Sequence, residues 1–544
     1  MGTSKVLVIG LDGATFSVLK PLIEKFKLPN LSSLINEGAS GLLQSVFPPV
    51  TGPAWSSFMT GKNPGKHGIV DFVDVVSGNR RIVNSHSIRS ENIWSILGAR
   101  GVEVGIVNVP VTYPPYKVNG FMISGMPTPV VNVAFSFPSS LGIELKKTLG
   151  PYTVIVPWMK YGRRRMNTFL RDVIRCTQQR GKYTTYLMEK YNWDIFMVVF
   201  NGTDIIQHPL WDVISGLCNN PTDSHHNKYE QLVLAYFQEL DKIIGRICGL
   251  TDENTTIFVV SDHGFGPVEK KVHINNWLNQ KGLLSFDVAK VRKKELLLHL
   301  GSLISPAAMY YRRIFPRNKS RPMLYRDRFY GCINWEKTKA FSASRTQQGI
   351  YINLKGRQSQ GIVEPGREYE AIRELLIAEL RGLSDPETGE PMVNEVFRRE
   401  EVYDGPFLTY APDIMFLLQG GRYQADDILS KEIFEDCSSK MTGTHRMEGI
   451  IAVKGSKIKK KSQVKNSNII DLAPTILYSL GVPIPDDMDG KVLIDIFTED
   501  FVATHAVQYT KALYSEIGKG EDTVYSVEET DLMSQKLKDL GYFD

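Results

Sequence analysis

Cysteine is scarce in this 544-residue chain: the five present, Cys176, Cys218, Cys248, Cys332 and Cys437, are scattered, odd in number and contain no C-x-x-C pair. That spacing fits neither a disulfide framework nor a thiolate zinc site, and it suits a reducing compartment. Net charge is also small, +5 from 64 basic and 59 acidic residues, so charge in bulk names no partner. No apolar run reaches the length of a membrane-spanning helix. The opening run K-V-L-V-I-G is too short for a secretory core segment and lacks a small-residue cleavage site. A cytoplasmic location, with peripheral membrane association as a variant of it, is the expectation. Low complexity and internal repeats are absent as well. At 42% hydrophobic and 23% charged residues the composition is that of an ordinary folded chain, long enough for two domains or one elaborated domain.

What the chain does have is a succession of short apolar runs separated by helical patterns. Val6–Leu11, Val102–Val109, Trp193–Phe200 and Thr255–Val260 read as strands buried on both faces. Pro29–Gly38, Ile93–Gly101 and Tyr229–Leu250 read as helices between them, which predicts an α/β fold with a mainly parallel central sheet. Further along, a strand is expected at Ile350–Leu354, a helix at Glu368–Arg381, a strand at Ile450–Val453 and a helix at Ile469–Leu480. A capping box at Ser526 and Glu529 opens a last helix that runs to Leu540.

Two stretches depart from this alternation. The pattern loosens between Thr112 and Asn192, where a helix from Arg164 to Lys190 is expected and Lys160–Lys182 carries eight basic residues against Asp172 alone. From Lys290 to Arg328 there are eleven basic residues against Glu295 and Asp327, enclosing an apolar centre, Leu296–Tyr311. Residues 112–192 and 283–345 are read as cap or insert segments within a single catalytic domain spanning 1–544. The block 290–328 reads either as solvated helix faces or as a rim that meets an anionic substrate or membrane surface.

The chemistry centres on V-F-P-P-V-T-G-P-A-W-S-S-F-M-T-G, residues 46–61. A strand, Gly41–Phe47, is followed by a helix expected to begin at Gly52 with Pro53 in its first turn, which puts Thr51 at or near the N-cap. Its hydroxyl is then either an ordinary cap or a nucleophile whose transferred anion rests on the helix N-terminus. Asp12, Asp204 and Asp262 each fall at or just past the end of an expected strand, the edge at which open α/β sheets bind ligands. His263 adjoins Asp262, His208 lies four residues after Asp204, and His445 occupies a glycine-flanked loop. Singly, each has a plain reading as a helix cap, a turn or a packed histidine. Together with Thr51 they hold enough ligand atoms for two metal ions.

These segments resemble the alkaline phosphatase superfamily, in its type I phosphodiesterase/nucleotide pyrophosphatase branch. The resemblance is carried by L-D-G at Asp12, F-P-P-V-T-G-P-A-W-S-S-F-M-T-G-K-N-P-G-K-H-G-I around Thr51, G-T-D-I-I-Q-H at Asp204, S-D-H-G-F-G at Asp262, G-T-H-R-M-E-G-I at His445 and I-I-D-L-A-P-T-I-L-Y-S-L-G. They occur in the family's order. The resemblance implies a central sheet with helices on both faces, one metal site from Asp204, His208 and His445, and another from Asp12, Asp262 and His263. It implies that Thr51 bridges to the second metal as nucleophile and forms a covalent phosphothreonine that water then hydrolyses. The mixed imidazole and carboxylate set favours Zn2+, and Mn2+ also fits.

The implied substrate is a phosphorylated small molecule or nucleotide, cleaved at a phosphodiester or pyrophosphate bond, with no specific nucleic-acid binding. Alternatives are a phosphomonoesterase, a phosphotransferase or mutase of the same superfamily, and a non-catalytic binding protein that kept the fold. Sulfatases of this fold need cysteine or serine in a C-x-P-x-R context, whereas Thr51 is followed by Gly52 and Pro53. One departure from the branch is Ala54, where nucleotide pyrophosphatases carry an asparagine that helps hold the phosphoryl oxygen. His67 and His273 read as structural. Arg345, Gln347 and Gln348 read as a solvated loop or as pocket lining.

Overall fold

The computed structural model describes residues 4–75, 81–129, 134–219, 228–287, 290, 330–427, 430, 432–437, 441–512 and 525–542. Its centre is a sheet of ten strands: β1 (Lys5–Leu11), β2 (Ala39–Gln44), β3 (Val104–Val109), β4 (Gly120–Ser124), β5 (Ser136–Phe137), β6 (Ile195–Phe200), β7 (Thr255–Val260), β8 (Glu448–Lys454), β9 (Ser462–Gln463) and β10 (Ser467–Asn468). Spatially the order is β9-β2-β8-β7-β1-β6-β3-β4-β5, with β10 also paired to β2. The run β7-β1-β6-β3-β4 is parallel throughout. Strands β3, β6 and β7 are buried along their whole length, as their largely apolar, valine-rich sequences require.

One strand runs the other way, and the site depends on it. Strand β8 is antiparallel to both neighbours, pairing Ile451 with Val260 of β7 and Ile450 with Leu42 of β2. Its beginning therefore lies at the edge where β1, β2, β6 and β7 end. Residues just after Leu11, Gln44, Phe200 and Val260 meet residues just before Glu448 there, although they come from five separate parts of the chain.

Residues 112–192 build into this sheet: they supply β4 and β5, and the helix Met166–Lys190, which buries Phe169, Leu170, Val173 and Leu187, packs along the helix Lys228–Cys248. Frequent glycines and prolines in this stretch, and a β5 only two residues long, hide the strands from a periodicity reading. A second core gathers Trp277, Leu278, Phe341, Tyr351, Leu376 and Phe416. It is formed by a four-stranded antiparallel sheet (340–341, 349–352, 414–418, 393–398), a three-stranded sheet (423–426, 270–273, 434–436) and the helix Arg367–Arg381. Residues 330–345 belong to it. The basic block, apart from Lys290, lies outside the described residues. No helix among the described residues is long and apolar enough to cross a membrane.

Candidate metal centre

Asp12 follows β1 directly, its N–H donating to the Phe200 carbonyl (3.0 Å). Gly13 turns the chain at φ +66, and a Cβ there would meet the backbone of Asp204 at 3.2 Å. That close approach lets the helix Gly202–Asn219 clamp the turn: Thr203 Oγ1 donates to the Asp12 carbonyl (2.5 Å) and Gln207 Nε2 to the Gly13 carbonyl (2.8 Å). On the same helix Asp204 and His208 stand four residues apart on one face, and the helix kinks after Pro209. Asp262 Oδ1 accepts from the Gly13 N–H (3.1 Å), tying the end of β7 to the end of β1.

His445 does not sit in a loop. It lies in a short strand, Gly443–Arg446, paired antiparallel with Gly264–Pro267, so that Phe265 stands opposite His445. This small ladder brings His445 against His263, whose ring it overlies at 3.8 Å.

Thr51 likewise departs from expectation. The strand before it ends at Gln44, and the helix begins at Thr51 itself, with Val50 as the cap residue and no side-chain cap bond. Freed from capping, Thr51 Oγ1 lies 3.2 Å from His263 Nε2 and accepts from Tyr542 Oη at 3.3 Å, in a pocket where Thr51 is 2% exposed.

All seven expected residues thus converge. Asp204 Oδ1 is 3.1 Å from His445 Nε2 and 3.4 Å from His208 Nε2, and those two nitrogens are 3.3 Å apart. His263 Nε2 is 3.3 Å from Asp262 Oδ2 and 3.7 Å from Asp12 Oδ1. Ligand atoms of Asp12, Asp262 and His263 fall within 4.8 Å of one another, as do those of Asp204, His263 and His445, which puts His263 between the two groups.

The donor set fits divalent cations on two observations. Asp12 Oδ1, Asp204 Oδ1 and Asp262 Oδ2 are buried without a hydrogen-bond partner, an arrangement that is costly unless a cation meets it. In addition, Nδ1 of His208, His263 and His445 faces the carbonyls of Gly443, Gly264 and Pro49 at 3.3, 3.0 and 2.9 Å. An Nδ1–H donated to each carbonyl leaves each Nε2 lone pair pointing into the centre, the tautomer a metal-ligating imidazole needs.

Electrostatics show a shortage of positive charge around Asp12 and Asp262, while Asp204 is the exception. Burial, then the nearby Asp262 and Asp204 carboxylates, push the Asp12 carboxyl well above its ordinary range. Burial raises Asp262 to about 7. For Asp204 burial works in the same direction but is outweighed by His208 and His445, which hold it below the usual carboxylate range. Burial, then His445, push His263 well below an ordinary imidazole.

A cleft at the centre is lined by Trp158, His208, His445 and Tyr542 together with Arg345, Thr346 and Gln348. The loop holding Arg345 is buried rather than solvated, and Arg345 reaches Asp426 at 3.5 Å. Gln347, also buried, turns toward Val73 instead. Arg446 points away: its guanidinium donates to the carbonyls of Gly421 and Pro267. His67, buried and bonded to Ser57 Oγ (2.8 Å), and His273, 3.0 Å from Glu435, lie outside the centre. Tyr542, Trp158 and Phe265 were not expected here. Phe265 adjoins the S-D-H-G motif, but no local pattern announces the other two.

A family model described as type I phosphodiesterase/nucleotide pyrophosphatase matches residues 6–448. No curated protein matches the sequence. Among solved structures, the fold is similar to murine ectonucleotide pyrophosphatase/phosphodiesterase 5, in an inactive threonine-to-alanine form in complex with AMP. The TM-score is 0.51 at 13% identity, over 91% of this chain and 100% of that one. It is also similar to phosphonoacetate hydrolase from Sinorhizobium meliloti 1021 in complex with phosphonoformate, with TM-score 0.51 and 14% identity over 88% of this chain and 95% of that one.

Proposed function

Because this chain belongs to the type I phosphodiesterase/nucleotide pyrophosphatase family, and so is a phosphohydrolase of the alkaline phosphatase superfamily, we propose that it cleaves a phosphodiester or pyrophosphate bond through a covalent phosphothreonine at Thr51. The observation that carries this reading is the Thr51 hydroxyl itself. It is buried, unused as a cap, and aimed at His263 beside carboxylate oxygens that lack partners. That a threonine-to-alanine form of the murine relative is inactive, and binds AMP, is consistent with the assignment.

Asp204, His208 and His445 would hold one divalent ion, and Asp12, Asp262 and His263 a second, with Thr51 adjoining the latter. Zn2+ suits this mixed set best, and Mn2+ also fits. Such ions, when bound, lower the pKa of the attacking hydroxyl and offset charge on the phosphoryl and leaving oxygens. The protein supplies the rest. The first turn of the Thr51–Thr60 helix presents backbone N–H groups with no helical acceptor, and its dipole favours the anion attached to Thr51. Trp158 and Phe265 flank His208 at ring separations of 5.6 and 4.9 Å, which fixes its orientation and keeps bulk water from that face. Ala54 offers no side-chain amide, so the reading extends to phosphate esters generally and does not require a nucleotide.

The test is an acid quench of metal-loaded protein during turnover of bis-p-nitrophenyl phosphate, followed by peptide mass spectrometry. A phosphoryl adduct on the peptide containing Thr51 is expected. Turnover without that adduct, together with an active Thr51→Ala variant, would overturn the proposal.

A further inference from the structure

Tyr542 is hydrogen-bonded to Thr51 and belongs to neither the ligand set nor the nucleophile helix. It arrives on a segment built to hold it. The helix Val527–Asp539, capped by Ser526, buries Met533 and Leu537 in the main core. Leu540 accepts a hydrogen bond from Trp158 Nε1 (2.9 Å), and Trp158 in turn stacks on His208. Gly541, at φ +88, reverses the chain, and its carbonyl accepts from Arg345 (3.4 Å). The turn sends Tyr542 into the centre, its ring edge-on to Phe72 at 4.7 Å and its hydroxyl donating to Thr51 Oγ1 at 3.3 Å.

On the other side of Thr51 the nucleophile helix has nothing comparable: Gly52, Pro53 and Ala54 carry no side-chain donor, and Pro53 lacks a backbone N–H as well. A phosphoryl group joined to Thr51 Oγ1 places its free oxygens within reach of a hydroxyl that already touches Oγ1. We propose, resting on the phosphothreonine reading above, that Tyr542 is a catalytic residue whose phenol donates a hydrogen bond to a free phosphoryl oxygen of the substrate and of the phosphothreonine. The phenol keeps its proton throughout. Its contribution is a fixed donor at a place where negative charge gathers. The Trp158 and Arg345 contacts to Leu540 and Gly541 then serve as positioning elements that couple this donor to the wall of the cleft.

The experiment compares wild type, Tyr542→Phe and Thr51→Ala as full-length, metal-loaded proteins. Phenylalanine keeps the ring against Phe72 and removes only the donor. Expected for Tyr542→Phe is a fall in kcat on bis-p-nitrophenyl phosphate on the order of 10²-fold, with metal content and Tm unchanged. Inorganic phosphate, titrated by calorimetry, should bind it roughly tenfold more weakly than wild type. Wild-type kcat and phosphate affinity in Tyr542→Phe, with Thr51→Ala inactive, would overturn the role of Tyr542 and leave the phosphothreonine reading standing. A rise in activity would also overturn it, by showing that the hydroxyl obstructs the site. An active Thr51→Ala would remove the underlying reading and this proposal together.

Discussion

The rings of His263 and His445 stack with centroids 3.8 Å apart and planes 21° from parallel. Two imidazolium ions would repel strongly at that separation, and each Nδ1 already faces a carbonyl, so the pair is arranged to present two neutral Nε2 atoms to cations. Truncating either member should therefore cost metal before it costs fold. His445→Ala and Asp262→Asn are expected to lose bound metal and activity together. In wild type, Zn2+ or Mn2+ at a hundred times its Kd should add about 2.7 kcal/mol of stability for each site filled, and His445→Ala should show a smaller gain. Elemental analysis that finds two ions in His445→Ala would show the ligand assignment to be wrong.

Thr51→Ala should behave differently. The hydroxyl is one contributor among several to its group, so metal content should stay near wild type while turnover falls by roughly 10³-fold or more. Thr51→Ser, which keeps a hydroxyl on the same backbone atom, should retain measurable turnover. Metal content and steady-state rates on the three proteins decide it, and near-normal activity in the alanine variant would remove Thr51 from the mechanism.

The site could be read from sequence because its parts lie next to strands. Asp12, Asp204 and Asp262 follow buried runs of valine, isoleucine and phenylalanine, and strand ends in a parallel sheet share one edge. His445 reaches the same edge for the opposite reason, since it precedes the antiparallel β8, and strand direction is a property of pairing that local periodicity does not encode. The Thr51 helix was expected one residue late because T-G-P suggests a cap, whereas Val50 takes that position. The helix Val527–Asp539 was legible from its capping box. Where it docks was not, because the contact of Tyr542 with Thr51 spans 491 residues of chain and depends on Trp158 and Arg345. The same holds for Arg345, whose burial is decided by the second core.

Charge around the centre bears on which ester it prefers. A monoester dianion leaves an additional charged oxygen to be met, and Arg446, close in sequence to His445, spends its guanidinium on the carbonyls of Gly421 and Pro267. Arg345 does line the cleft, but Asp426 stands 3.5 Å from it and offsets its charge. A diester should accordingly have the higher kcat/KM, measured with bis-p-nitrophenyl phosphate against p-nitrophenyl phosphate at one pH and metal loading. A tenfold preference for the monoester would refute this.

His67 supplies a prediction about stability that is separate from catalysis. It is fully buried, its Nδ1 accepts from the Ile69 N–H (3.2 Å), and its Nε2 is therefore the protonated nitrogen, donating to Ser57 Oγ at 2.8 Å. Burial pushes its pKa from 6.5 down to about 3, assisted by Lys62 and opposed by Asp489. Above pH 6.5 the imidazole is neutral in both folded and unfolded chains and contributes no pH dependence. Below it the unfolded chain takes up a proton that the folded chain refuses until about pH 3, so stability falls as pH falls, by up to about 1.4 kcal/mol per pH unit. Between pH 7 and pH 5 this one residue should cost about 2 kcal/mol. Asp71 acts in the opposite sense: burial raises its carboxyl to about 6, so the folded chain takes up that proton first and gains stability as pH falls toward 4. The two are separated by substitution rather than by the raw curve. His67→Gln should lower stability at pH 7 and yet remove the His67 share of the slope between pH 6.5 and pH 4, so that its loss relative to wild type shrinks as pH falls. Denaturant melts of both proteins at half-unit pH steps give the difference, and a gap that stays constant or widens on acidification would mean that His67 is not held neutral in the fold.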